Sequence, residues 1–210
     1  MKTLIDIEDW NRKEHFYFFK AFDDPFFGMT TNVDFTPVYE HSTATGTSFF
    51  LNSLHRIMQA VNAVELFRYR IEGEQLFCYD IIHPASTIGR EDGTFSFSFF
   101  EYDTDIDIFR QNASDVIRQI QHTSGIGMDE NALRNDVIHY SSVPWVQFTE
   151  MKHTMSLGSK GSIPKISTGK LFREEQKMMM PVSITVNHAV MDGLHVGQFL
   201  GELNEQIHSD

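Results

Sequence analysis

Hydrophobic and polar positions alternate over residues 182–187 and then change to helical spacing near the C-terminus. Apolar side chains occupy every second position of this segment, which predicts a half-buried strand. Residues 188–193 read His-Ala-Val-Met-Asp-Gly, and an apolar stripe at helical spacing follows: Val196, Phe199, Leu200, Leu203 and Ile207. We therefore expect His188 at the end of a strand and Asp192 just before an amphipathic helix.

Along the rest of the chain, the pattern predicts strands and helices that mix without strict alternation. Helical spacing extends over 9–20, 50–61 and 106–120, and extended segments over 29–35, 66–71, 75–79, 95–99 and 137–142. Segments 163–172 and 177–187 are expected to pair as a long hairpin, and 156–162 has the composition of a mobile loop. These elements predict an α/β fold with a mixed β-sheet and packed helices, in a single domain over residues 1–210.

The composition limits the class of protein. At 210 residues and 41% hydrophobic content, the chain can bury one substantial core. No apolar run approaches the length that spans a bilayer, and acidic residues come too early at the N-terminus for a secretory signal. We therefore expect a cytoplasmic protein with no membrane partner. Cys78 is the only cysteine, which excludes an internal disulfide and a thiolate metal cluster.

The charge is negative overall but uneven along the chain. A net charge of -12 argues against nucleic acid as the main partner, because phosphate binding needs clustered Lys and Arg. Between Lys152 and Lys177, however, six Lys or Arg residues stand against two Glu. This basic stretch is typical of a site for a phosphorylated ligand, and equally typical of lysines on a solvated hairpin.

His188 carries the candidate chemistry of the C-terminal motif. An imidazole titrates near neutrality, and one held on a stiff strand end with a carboxylate four residues on suits a general base. Taken alone, the motif favours a simpler interpretation, a hydrogen-bonded structural histidine beside an aspartate that caps a helix. The chain has ten histidines, but His188 and His195 lack a third ligand at a recognisable spacing, so we expect no metal site.

Five segments in order along the chain resemble the chloramphenicol acetyltransferase family. They are Trp10-Asn-Arg-Lys-Glu-His-Phe16, Ala60-Val-Asn62, Asp105-Ile-Asp107, Ser141-Ser-Val-Pro-Trp-Val-Gln-Phe148, and His188-Ala-Val-Met-Asp-Gly193 followed by His195-Val196. One such motif would be weak, but these landmarks in sequence cover nearly the whole chain. The resemblance implies the coenzyme A-dependent acyltransferase fold, assembled as a homotrimer with active sites at the subunit interfaces.

The resemblance also implies an activity, the transfer of acetyl from acetyl-coenzyme A to a hydroxyl without a covalent acyl-enzyme. Acetyl-coenzyme A is then a co-substrate, and no cofactor is permanently bound. His188 matches the general base, and Ser141 matches the serine that stabilises the oxyanion. Ser167 aligns with a threonine of the oxyanion region that acts through a bound water.

Further residues of the site follow from the same resemblance. Asp192 matches a carboxylate that pairs with an arginine aligned to Arg12, and this ion pair holds the segment around the base. The histidine tautomer is expected to be fixed largely by a main-chain contact, so no Ser-His-Asp triad is assigned. Trp145 is expected to line the route of the coenzyme A arm, while the basic stretch attracts the nucleotide phosphates.

The chain departs from the family pattern around the acceptor. Asn187 replaces the first of two adjacent histidines. Phe19 replaces an acceptor-pocket tyrosine and cannot donate a hydroxyl to chloramphenicol, the family substrate, which costs roughly 0.5–1.5 kcal/mol of binding. His153 stands where the pocket usually has an apolar side chain. We therefore expect Phe18, Phe19 and His153 in the acceptor site, with the acceptor being chloramphenicol or a related small molecule.

Two other functions remain open at this point. Dihydrolipoyl acyltransferase catalytic domains share a similar His-x-x-x-Asp-Gly arrangement, although this sequence shows no lipoyl domain or Ala/Pro linker. The departures at Phe19, His153 and Asn187 also fit a catalytically silent trimer that binds a hydrophobic ligand.

Overall fold

The computed structural model describes residues 1–154 and 161–209, so the predicted loop over 156–162 lies almost wholly outside the described residues. The strands are β1 (Lys2–Ile5), β2 (Phe26–Asp34), β3 (Tyr69–Glu72), β4 (Gln75–Tyr79), β5 (His83–Gly89), β6 (Phe95–Phe99), β7 (Val137–Ser142), β8 (Lys165–Thr168), β9 (Phe172–Glu174) and β10 (Lys177–Asn187). The helices are α1 (Lys13–Lys20), α2 (Thr36–Thr45), α3 (Phe49–Ala63), α4 (Ile106–Gln121) and α5 (Gly193–His208).

The larger sheet has the strand order β2-β10-β8-β7-β5-β6, and β9 also pairs with β10. Strands β5, β7 and β8 run parallel to one another, while the pairs of β10 with β2, β8 and β9 are antiparallel. A smaller antiparallel sheet has the order β1-β4-β3. The predicted mixed sheet with packed helices is therefore confirmed, as is the predicted pairing of 163–172 with 177–187.

The core lies on the apolar face of β10. Its side chains Val182, Ile184 and Val186 are fully buried, and α5 covers the core with Val196, Phe199, Leu203 and Ile207. The prediction of a half-buried strand was wrong, because the polar face of β10 is also buried: Ser183 is 1% exposed. The segment around His153, which bonds to this face, covers it.

Several predicted boundaries differ from the observed ones. The first helix begins at Lys13 and not at residue 9, and a 3-10 turn over Glu65–Arg68 replaces the start of the strand predicted from residue 66. Strand β2 begins three residues earlier than predicted, since Phe26, Phe27 and Gly28 pair with the end of β10. Among the described residues, no helix has the length and apolarity needed to cross a membrane.

Candidate active site

His188 follows directly after the last residue of β10. Its backbone N–H donates to the carbonyl of Pro25 at 2.8 Å, which fixes the backbone to the chain that leads into β2. The half-buried imidazole stacks on the Phe19 ring, with the centroids 3.9 Å apart and the planes 4° from parallel. The Phe27 ring lies 4.7 Å away at 44°. Two phenyl rings thus set the plane of this imidazole.

The two ring nitrogens of His188 have different surroundings. Nδ1 is buried and has no hydrogen-bond partner among the described residues, so the expected main-chain contact is not found there. Stacking restricts the plane of a ring but leaves open which nitrogen carries the proton. Nε2 is not among the buried side-chain atoms that lack a partner in the described part of the chain, so the two nitrogens of this ring are not equivalent.

The turn after His188 is held by Asn187, at the position where the resemblance implies a histidine. Its side-chain oxygen accepts from the Ala189 N–H at 2.9 Å, and its carbonyl accepts from the Val190 and Met191 N–H groups. Its amide nitrogen donates to the carbonyl of Gly161 at 3.3 Å. Asn187 is 2% exposed, so these bonds form in a protected site. The amide of Asn187 therefore orders this turn through bonds to both of its polar atoms.

Arg12 reaches this turn from the start of α1. Its Nη1 donates to Asp192 Oδ2 at 2.6 Å, and its Nε donates to the carbonyl of Val190 at 3.1 Å. Arg12 is 9% exposed. Partial burial by itself would raise the pKa of Asp192, but the bonds from Arg12 and from the Leu194 N–H hold it below its usual range. Arg12 thus binds the turn at two points, the Val190 carbonyl and the Asp192 carboxylate, and we call this pair of contacts the clamp.

Asp192 also caps α5. Its Oδ1 accepts from the Leu194 N–H at 3.0 Å, while its own N–H donates to Nδ1 of His195 at 3.2 Å, which completes a capping box. Asp192 therefore pairs with Arg12 and caps α5 at the same time. A cavity of about 430 Å³ lies against Trp10, Arg12, Asp192 and His195, but His188 does not line it.

The predicted oxyanion residues lie in a row of hydroxyls across the larger sheet. Ser141 of β7 is opposite Ser167 of β8, which is opposite Ser183 of β10. Because in-register neighbours share a face of a sheet, the three hydroxyls point to the same side. Ser167 is fully buried in the chain, and Nε2 of His153 lies 2.8 Å from its Oγ. His153 is thus placed beside Ser167.

His188 and this row of hydroxyls are well separated within one chain. His188 lies five positions beyond Ser183, and β10 pairs with β2 in unbroken register up to Asn187. At about 3.4 Å per residue, the separation along the strand is about 17 Å. A histidine and a serine side chain together are too short to span that distance. Within one chain, His188 therefore does not reach Ser141 or Ser167.

The remaining predicted residues lie on the surface. Phe18 is 61% exposed and packs edge-on against Phe19, the ring that stacks on His188, with the Phe18 and Phe19 centroids 5.0 Å apart. Trp145 is 77% exposed just after β7. Lys170, one of the basic residues, donates its backbone N–H to the carbonyl of Val146 at 2.8 Å and so lies next to Trp145. Lys160, also of that stretch, lies outside the described residues.

Sequence reasoning missed Thr185, whose Oγ1 lies 3.3 Å from Nδ1 of His153. The available signal was its position two residues from Ser183, which puts both hydroxyls on one face of β10. Among the described residues, no group of three His, Cys, Asp or Glu side chains is arranged to hold a metal ion.

Comparison with known proteins identifies the family. The family model for chloramphenicol acetyltransferase matches residues 1–204. Chloramphenicol acetyltransferase 2 of Haemophilus influenzae is 30% identical over 96% of this chain and 94% of its own, and chloramphenicol acetyltransferase of Clostridium perfringens is 31% identical over 97% and 93%.

Solved structures agree with this result. A chloramphenicol acetyltransferase structure superimposes with a TM-score of 0.92 and 32% identity, covering 99% of this chain and 100% of that one. A probable dihydrolipoamide acetyltransferase from Listeria monocytogenes, at a TM-score of 0.68 and 13% identity over 92% and 88%, shares the fold alone. The chain is therefore an acyltransferase that belongs to the chloramphenicol acetyltransferase family.

Proposed function

We propose that this enzyme transfers the acetyl group of acetyl-coenzyme A to a hydroxyl of chloramphenicol or a related small acceptor. The observation that carries this proposal is His188, an imidazole fixed on a strand end by ring stacking, with Nδ1 buried and Nε2 left for proton transfer. An alcohol is a poor nucleophile at neutral pH, and a positioned base contributes about 10²–10⁴-fold to its reaction.

In the proposed reaction, Nε2 of His188 takes the proton of the acceptor hydroxyl as that oxygen attacks the thioester carbonyl. The carbonyl oxygen becomes an oxyanion, and hydroxyls aimed at it stabilise the transition state more than the ground state. Ser141 supplies such a hydroxyl directly, and Ser167, opposite it on the adjacent strand, contributes through a bound water. Collapse of the intermediate breaks the carbon–sulfur bond, and the thiolate takes the proton back from His188, which releases the acetyl ester and coenzyme A.

We further propose a homotrimer with active sites between subunits. The separation of about 17 Å between His188 and the serine row supports this, because a second copy is needed to bring the two together. The exposed rings of Phe18 and Trp145 supply surface for such contacts and for the ligands. In this arrangement the His188 side, with Phe18 and Phe19, faces the acceptor, while Trp145 and Lys170 line the path of coenzyme A. We also propose that residues 1–210 form a single domain, that the protein is cytoplasmic, and that it binds no cofactor permanently.

One assay tests the activity. Purified protein is mixed with acetyl-coenzyme A and chloramphenicol, and the release of free thiol is followed for wild type, His188→Ala and His122→Ala. His122 is an exposed histidine at the end of α4 and serves as the matched control. We expect turnover in wild type and in the control, and a loss of at least about 10²-fold in His188→Ala.

Other outcomes separate the alternatives. Thiol release with other hydroxyl acceptors, but not with chloramphenicol, would support acetyl transfer to a hydroxyl and exclude chloramphenicol as the acceptor. Absence of turnover with a broad acceptor panel favours a silent ligand-binding homologue. Acetylation of dihydrolipoamide in preference to hydroxyl acceptors favours the dihydrolipoyl-type enzyme. Light scattering tests the assembly, with three chains of 24.3 kDa as the expected mass.

A further inference from the structure

The His153 imidazole bridges two strands of the larger sheet. Its Nε2 lies 2.8 Å from Ser167 Oγ on β8, and its Nδ1 lies 3.3 Å from Thr185 Oγ1 on β10. Glycine at position 28 leaves room for this arrangement, since a Cβ there would lie 3.1 Å from Thr185 Oγ1. The three side chains thus form a chain of hydrogen bonds on the face that also carries Ser141.

We infer that His153 is a positioning residue that fixes the direction of the Ser167 hydroxyl proton, in a relay from Thr185 through the imidazole to Ser167. This inference rests on the proposed function, in which Ser167 stabilises the oxyanion. It changes the role expected for His153 from contact with the acceptor to control of a neighbouring hydroxyl.

The reasoning follows from the donors that each group possesses. A neutral imidazole has one N–H and one lone pair, and a serine hydroxyl has a single proton. If Nε2 carried the lone pair, the Ser167 proton would point into the imidazole and could not be donated to the water that bridges Ser167 and the oxyanion. If Nε2–H donates to Ser167 Oγ, the serine proton is free to point away from His153. The second arrangement requires a donor to Nδ1, which Thr185 supplies with its own hydroxyl.

The surroundings favour a neutral ring in a fixed position. Burial, with a smaller contribution from the charge of Lys165, holds the pKa of His153 below its ordinary value. Lys165 Nζ donates to the carbonyl of Thr154 at 2.8 Å, which ties the segment carrying His153 to β8. The neutral imidazole therefore stays hydrogen-bonded to the hydroxyls of Ser167 and Thr185, and it can donate its single N–H to only one of them.

A pair of near-isosteric variants tests the relay. The amide nitrogen of glutamine occupies a place close to Nε2 of histidine, whereas that of asparagine lies close to Nδ1. His153→Gln therefore retains a donor toward Ser167, and His153→Asn removes it. We expect His153→Asn to lower kcat by about two- to tenfold, which is the effect of one hydrogen bond. His153→Gln should have a kcat much closer to that of wild type.

The decisive readout is a double-mutant cycle with Ser167→Ala. If His153 acts through Ser167, His153→Asn has no further effect on kcat in the Ser167→Ala background. Equal effects in both backgrounds would overturn the inference. So would a loss seen only in the KM of the acceptor and varying from one acceptor to another, because that result would make His153 an acceptor contact.

The cycle also distinguishes this inference from the proposed function. Wild-type turnover that His188→Ala abolishes, with no coupling between His153 and Ser167, would reject the relay alone. Absence of wild-type turnover with every acceptor would reject the proposed function. Thermal unfolding of each variant verifies that it is folded. Thr185→Val, which removes the donor to Nδ1 of His153, is a second variant that should also lower kcat.

Discussion

Replacement of Arg12 by methionine should destabilise the protein and slow catalysis together. The side chain of Arg12 is 11% exposed and that of Asp192 is 31% exposed. Arg12→Met leaves the Asp192 carboxylate without its cation and the Val190 carbonyl without its donor. The turn that presents His188 would then lose its outer clamp, so the position of the base should become less well defined.

The size of the effect follows from these two contacts. Breaking a buried ion pair costs about 3–5 kcal/mol, and the partial exposure of Asp192 reduces this to about 2 kcal/mol. Loss of the bond to Val190 adds about 1 kcal/mol. A total of about 3 kcal/mol corresponds to a fall in Tm of about 6–12 °C for a chain of this length.

Thermal and urea unfolding at one fixed protein concentration measure this effect, since an oligomer's stability depends on concentration. Arg118→Met is the matched control, because Arg118 pairs with Asp115 on the exposed surface of α4, where such a pair contributes little. Asp192→Asn and the double variant complete a cycle. A change below about 0.5 kcal/mol for Arg12→Met, or simple additivity with Asp192→Asn, would refute the clamp.

Two further predictions concern the acceptor pocket and pH. Phe19→Tyr adds a hydroxyl to the ring stacked on His188 and should lower the KM for chloramphenicol by about two- to tenfold, measured by thiol release. An unchanged KM would show that Phe19 is remote from the drug, and a raised KM would show that the hydroxyl makes no favourable bond to it. Arg12 holds the pKa of Asp192 below its unfolded value near 3.9. The difference in free energy of unfolding between wild type and Asp192→Asn should therefore be at its full value above about pH 4 and should decline as the pH falls further, as urea unfolding would show. A difference that stays constant at acid pH contradicts this prediction.

The elements predicted from the sequence were those with a strong hydrophobic period. The alternation before Asn187 and the stripe from Val196 led to β10 and α5 because each buries its apolar side against the same core. Helix α2 was missed because it buries only Val38 and Ser42 and has no apolar stripe.

Strand β5 was missed for a different reason. Its second residue is Pro84, and proline within a strand argues against a central position. The strand tolerates it near its first residue, where the Pro84 carbonyl still accepts from the Phe100 N–H.

The candidate site was only partly readable from local pattern. The motif itself placed His188 after a strand and Asp192 before a helix, since both positions follow from short-range periodicity. Arg12, which is 180 positions from Asp192, came from family resemblance alone. The bonds of His153 to Ser167 and Thr185 join residues that are 14 and 32 positions apart, and no local pattern encodes those contacts.

The most direct test of the account is complementation between two inactive variants, His188→Ala and Ser141→Ala. If one subunit supplies the base and another the oxyanion serine, mixed oligomers formed from equal amounts of the two variants contain sites with both residues intact. Random assembly predicts roughly one quarter of wild-type thiol release. Activity no higher than that of the separate variants, in oligomers shown to be mixed, would place His188 and Ser141 in the site of a single chain and contradict the account.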